Sequence, residues 1–138
     1  MWMRYFGLLV VMIAEVAIGR KLLDAILENA RAVYPRETIL LLRGKAKRGR
    51  IEITDLVIPP LATHGRGFSS FPAYMLPMDF SLMGSVHSHP SGVTKPSVGD
   101  LNHSFGRIIM IVAYPFAGIE NVAVYSRSGE KIALQLRE

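Results

Sequence analysis

The strongest periodicity in the chain lies in "RKLLDAILENARAVYP", where Leu22, Leu23, Ile26, Leu27, Ala30 and Val33 recur at helical spacing. That stripe fits one face of an α-helix, and Pro35 ends it, because the residue before a proline avoids helical dihedrals. The pattern then changes. "TILLLRG" and "RIEITDLVIPP" are aliphatic or β-branched runs on either side of "RGKAKRGR", which reads as a hairpin. From Leu61 to Asp79, Gly65, Gly67, Pro72 and Pro77 break any regular period. This stretch reads as an irregular loop with at most a short strand near "FPAYML". "LMGSVHSHP" is strand-like and stops at Pro90, "SGVTKP" is a loop, and "SVGDLNHSF" begins a short helix. "RIIMIVAYPF" is almost continuously apolar, as in a strand covered on both faces. "IENVAVYSRSGEKIALQLRE" is a last hairpin that turns at Ser128-Gly129. The order of elements predicts an α/β fold, a mixed sheet with helices packed against it.

Length and composition add bounds. The 138 residues suit one domain, 1–138, and half of them are apolar, enough for a core without disulfides. No repeat, low-complexity tract or linker divides the chain. There is no cysteine, which excludes a disulfide scaffold, a thiol nucleophile and any thiolate-bound metal, and fits a cytoplasmic protein. A net charge of +5 is mild, and no specific nucleic-acid partner is expected. In "RGKAKRGR", Arg43, Lys45, Lys47, Arg48 and Arg50 read as a solvated hairpin tip, with steering of an acidic partner as the other reading. The apolar residues 1–15 form an N-terminal extension. Arg4 ahead of the run from Tyr5 to Ala14 resembles a targeting segment, and Ala14–Ala17 loosely supplies a cleavage site. Glu15 interrupts the run, however, and the run is too short to span a membrane. An ordered strand, or strand plus helix, packed in the domain or against a second copy in a homodimer, is the expectation.

The candidate chemistry lies in "GSVHSHPSGVTKPSVGDL". Residues two apart on a strand share a face, so His87 and His89 project together and Ser88 projects away. Loop 90–96 turns the chain back and puts Asp100 in the first turn of the next helix. Two imidazoles and one carboxylate suit zinc, and a fourth position left to water makes such a site catalytic. Plainer roles exist for the same residues. Ser97 and Asp100 also spell a capping box, and two histidines on a strand can be ordinary polar positions. The joint pattern favours the metal.

"GSVHSHP" followed by "PSVGD" resembles the signature of the JAMM (MPN+) metalloprotease family, a His-Ser-His-Pro and then a Ser-x-x-Asp. That family also has an upstream glutamate before an aliphatic run and a glycine, and "YPRETILLLRG" places Glu37 there. The resemblance covers about residues 16–137 and is nearest the short archaeal members. Leu40 departs from it, standing where many members have glycine. The resemblance implies a three-layer, cytidine-deaminase-like α/β architecture. It implies that His87, His89 and Asp100 hold Zn2+, that Glu37 is the general base, and that Ser97 steadies the developing oxyanion. Zinc lowers the pKa of a water it binds to roughly 7, and a nearby carboxylate can move that proton, so the division of roles is chemically sound.

The activity implied is hydrolysis of the amide after the C-terminal glycine of a ubiquitin-like modifier, with the modifier and its conjugates as partners. The modifier's extended tail would add as a strand, "FPAYML" being the candidate edge. Two alternatives remain: a zinc hydrolase of another amide adduct on a sulfur-carrier protein, and a non-catalytic scaffold of the same fold. A nucleoside deaminase is excluded, because its metal site needs a cysteine pair. Ser88 is expected to support the site from behind, and His103 to lie at the surface or beside the ligands. His64 has no assigned role.

Overall fold

The computed structural model describes residues 12–59, 79–102 and 104–138 in full, and the backbone alone of residues 2–5, 8–11, 63–65 and 68–70. In chain order the elements are β1 (Trp2–Tyr5), β2 (Leu8–Val11), β3 (Glu15–Gly19), α1 (Arg20–Val33), β4 (Ile39–Lys47), β5 (Arg50–Val57), β6 (Thr63–Gly65), β7 (Phe68–Ser70), β8 (Leu82–His89), α2 (Val98–Asn102), β9 (Ile108–Ala113), β10 (Val122–Ser126) and β11 (Lys131–Arg137). Seven strands close into one ring in the order β10-β11-β3-β5-β4-β8-β9, with parallel and antiparallel neighbours, while β1-β2 and β6-β7 are separate two-stranded pairs. The expected α/β mixed sheet is what forms, and it curls until its ends meet.

Helix α1 carries the stripe seen in the sequence. Leu23, Ile26, Leu27 and Ala30 are buried in the main core with Val16, Ile18, Leu40, Leu42, Ile51, Met110 and Val112. The alternation along β9 divides its side chains between two clusters. Ile108, Met110 and Val112 face α1, whereas Ile109 and Ile111 join Ala123, Tyr125 and Leu101 of α2. The continuous apolar run of β9 therefore has the physical cause expected of it: all six residues are buried because both faces are covered. Leu40 pairs with Val86 and packs on the α1 face, so the departure at this position is absorbed by the core.

Three expectations shift. The basic segment is not a loop. Arg43–Lys47 continue β4 and Arg50 begins β5, leaving only Arg48 and Gly49 as a two-residue turn, both at positive φ (53° and 77°), as a tight hairpin of right-twisted strands requires. Ion pairs occupy two of its cations, Arg43 with Asp79 at 3.0 Å and Arg50 with Glu15 at 3.6 Å. Within the stretch expected as an extension at 1–15, Glu15 opens β3 and pairs with both Arg50 and Ala133, and Ile13 packs against the main core. Finally, the described residues between Leu61 and Asp79 include two short strands that were not expected, β6 and β7, while residues 71–76, the "FPAYML" of the expected strand, lie outside those described. So does His103, while His64 lies on β6. No helix among the described residues is long and apolar enough to cross a membrane.

Candidate metal centre

The site forms where β8 and β9 end and β4 begins. The register pairs Ile39 with His87 and His87 with Ile111, so His87 lies across from β4 and β9 on the α2 face. His89 follows on the same face, opposite Ala113, and both imidazoles are 8% exposed. Ser88 points the other way, as the alternation predicts. Its Oγ accepts the Thr38 N–H at 2.8 Å, and the Ser88 N–H donates to the Thr38 carbonyl at 3.0 Å. This clasp fixes the peptide directly after Glu37 against the histidine strand, so the serine supports the site by holding the backbone that carries the acid.

Asp100 arrives by way of loop 90–96, which is tied down at three points. His89 Nδ1 donates to the Val93 carbonyl at 2.8 Å, the Tyr125 hydroxyl donates to the Thr94 carbonyl at 2.8 Å, and Gly92, at φ +86°, returns its N–H to the His89 carbonyl at 3.2 Å. The capping box is real and reciprocal. Ser97 Oγ accepts the Asp100 N–H at 2.9 Å, and Asp100 Oδ2 accepts the Ser97 N–H at 2.8 Å. The same carboxylate also reaches both rings, Oδ2 to His89 Nε2 at 3.0 Å and Oδ1 to His87 Nδ1 at 3.4 Å. The capping role of Asp100 is therefore present, and the same carboxylate lies within reach of both imidazoles.

Electrostatics follow from this crowding. Burial works against the charged form of Asp100, but hydrogen bonds from His87, His89 and the Ser97 N–H win and hold its pKa far below the usual carboxylate range. Burial likewise opposes a charged His89, yet Asp100 and the Val93 carbonyl outweigh it and raise its pKa. Glu37 is half-buried. Desolvation raises its pKa, His89 and His87 pull it down, and Asp100 adds to the rise. The pKa of Glu37 thus responds to all three of the other candidates, although 50 residues separate it from His87 along the chain.

The donor set fits a divalent ion of the zinc type by its chemistry: two imidazole nitrogens, one carboxylate oxygen, and each ligand steadied from behind. Val93 holds His89 Nδ1, Ser97 holds Asp100, and Ser85 Oγ lies 3.0 Å from His87 Nε2. In one respect the structure differs from the expectation. Among the described residues, no three such side chains surround a common point as a metal requires. Asp100 instead stands between the rings, with Oδ2 3.0 Å from His89 Nε2 and Oδ1 3.4 Å from His87 Nδ1. Two contributors escaped the sequence reading. Ser85 was visible in principle, being two residues before His87 on the same strand face. Tyr125 was not, because nothing local links it to Thr94, 31 residues away.

The model of prokaryotic homologs of the JAB domain matches residues 19–128. A curated relative from Haloferax volcanii, named a probable metalloprotease, is 34% identical over 122 residues, 83% of this chain and 75% of that protein. Among solved structures, one described as "JAMM: a metalloprotease-like zinc site in the proteasome and signalosome" is 32% identical with a TM-score of 0.65, covering 91% of this chain and 100% of that one. A JAB1/MPN domain protein from Archaeoglobus fulgidus is 35% identical with a TM-score of 0.64, covering 88% and 99%. The family model spans the segments that carry Glu37, both histidines and Asp100, and the chain belongs to the JAB/JAMM family.

Proposed function

We propose that this protein is a zinc-dependent metalloprotease that hydrolyses the amide after the C-terminal glycine of a small ubiquitin-like modifier. The observation that carries the reading is geometric: Asp100 lies 3.0 Å and 3.4 Å from the two imidazoles, and the Thr38–Ser88 clasp holds the peptide after Glu37 against the strand that bears them. Family membership and a relative named as a probable metalloprotease support the hydrolytic class. The modifier substrate rests on the motif.

His87, His89 and Asp100 would hold the zinc, which when bound supplies Lewis-acid polarisation of the scissile carbonyl and acidifies water. Glu37 takes the proton from the attacking water at its carboxylate and delivers it to the departing amine nitrogen. Its partly buried position suits that work: desolvation raises its basicity toward that of the water it serves. Ser97 accepts the Asp100 N–H with its oxygen, which leaves the hydroxyl hydrogen to donate to the carbonyl oxygen as charge develops. Loss of one such donor costs about 100- to 1,000-fold in rate.

The test is incubation with a modifier joined through its terminal glycine to a lysine side chain. Free modifier should appear, should stop appearing with a chelator, and should return when zinc is added back. Absence of release from zinc-loaded protein, or release indifferent to the chelator, overturns the reading.

A further inference from the structure

Two tyrosines, each followed by proline, end neighbouring elements beside the site: Tyr34 caps α1 and Tyr114 follows β9. Their rings stack, with centroids 4.8 Å apart and planes at 26°. Phe116 meets both edge-on, at 6.2 Å and 6.0 Å, and is only 1% exposed. The Arg31 guanidinium donates to the Phe116 carbonyl, which ties this base to α1. The tyrosines themselves remain 45% and 48% exposed. A stacked aromatic pair on a buried aromatic base is rigid before any ligand arrives, so little conformational freedom is lost on contact.

Position connects this pair to the chemistry. The Tyr114 N–H donates to the His89 carbonyl at 3.0 Å. Tyr34 lies three residues before Glu37, and the Arg36 N–H closes the intervening turn on the Val33 carbonyl at 3.0 Å. The pair thus grows from the two segments that present the acid and the second imidazole. Asp100 and α2 approach the histidines on the opposite, Leu101 face of the sheet. A chain crossing the sheet end at Glu37 would run from the α2 side toward the tyrosines.

We propose that the Tyr34–Tyr114 stack is a specificity platform, which receives an apolar or aromatic side chain of the substrate polypeptide within a few residues of the scissile amide. The proposal rests on the hydrolase reading for the identity of the occupant, and on the continuity of the platform with the Glu37 and His89 segments for its location. It gives the enzyme a sequence preference beside the cleaved bond, in addition to whatever recognises the modifier's folded body.

The test measures binding apart from turnover. Fluorescein-labelled peptides that share a central Gly-Gly-Lys segment, with phenylalanine, leucine or serine placed one to three residues from it on either side, are titrated into the E37Q protein and followed by fluorescence polarisation. The phenylalanine or leucine peptide should bind about tenfold tighter than its serine counterpart at one of these positions, the scale of one well-placed aromatic contact. Tyr34→Ala and Tyr114→Ala should erase that preference, while Tyr34→Phe and Tyr114→Phe retain it. Equal binding of all peptides overturns the platform even if the alanine variants fail to fold, and so does a preference that survives in folded alanine variants. Cleavage of the modifier conjugate is assayed in parallel on unsubstituted protein. Selective peptide binding without conjugate cleavage sinks the hydrolase reading and leaves the platform standing, whereas cleavage without any side-chain preference does the reverse.

Discussion

Glu37 and His89 belong to one cluster of charges but fail differently when replaced. Glu37→Gln removes a proton acceptor and no ligand, so the protein should still bind zinc at near-native stoichiometry. Its hydrolysis should fall by about 100-fold or more, the usual worth of a placed general base. His89→Ala should lose zinc and activity together. Metal analysis of the two purified variants beside their rates separates the roles, and full activity in Glu37→Gln would refute the assigned base. The same cluster also makes the metal-free protein sensitive to pH. His89 has a raised pKa in the folded state, so its stabilising contribution is whole below the ordinary imidazole value of about 6.5 and fades as pH climbs through the folded value. Asp100 has a lowered pKa, so its contribution is whole above about 3.9 and fades as pH falls through its folded value. Melting in chelator should therefore show highest stability between those limits and a Tm that falls as pH rises above about 6.5. A flat profile over that range would mean the pair is not formed in solution.

At the scale of elements, the site depends on how β4 and β8 are joined. Replacing Ser88 with alanine takes the acceptor from the Thr38 N–H and leaves a buried donor unpaired, a cost of about 1–3 kcal/mol. Urea denaturation should register that loss. The rate should also drop, with zinc content unchanged, because the released peptide is the one that follows Glu37. The β8–β9 contact is tighter still. A Cβ on Gly84 would lie 1.9 Å from the Ile108 carbonyl oxygen, a clash with backbone that no side-chain rotation relieves. Gly84→Ala should destabilise by about 3 kcal/mol or more and is expected to melt well below the unsubstituted protein. The glycine was plain in "LMGSVHSHP"; the close approach that demands it was not, because the neighbour comes from β9. In the hairpin of β4 and β5 the situation was similar. Its two strands were legible from their residues, but the basic stretch masked their length, since charged side chains lie along exposed strand positions as readily as in a loop.

For the whole molecule, zinc at this site would cross-link segments that fold from different parts of the chain: β8, and α2 beyond loop 90–96. Binding only the folded state, zinc should stabilise it by mass action, by about 2.7 kcal/mol at a hundredfold excess over its Kd. Thermal melts should therefore shift upward with added zinc, and His89→Ala should cancel the shift. What the sequence by itself determined were the features set by neighbours in the chain. The helical stripe of α1, the common face of His87 and His89 and the Ser97–Asp100 capping box all follow from local backbone periods, and all are present. Glu37 was placed by likeness to a family and by nothing in its surroundings. Only the tertiary structure decided that β4 lies beside β8 and brings Glu37 into the charge cluster, that Asp100 serves its helix and both imidazoles at once, and that two tyrosines 80 residues apart stack next to them. Those contacts depend on which strands pair and how the sheet closes, and that is settled by burial of the whole core rather than by any local run of residues.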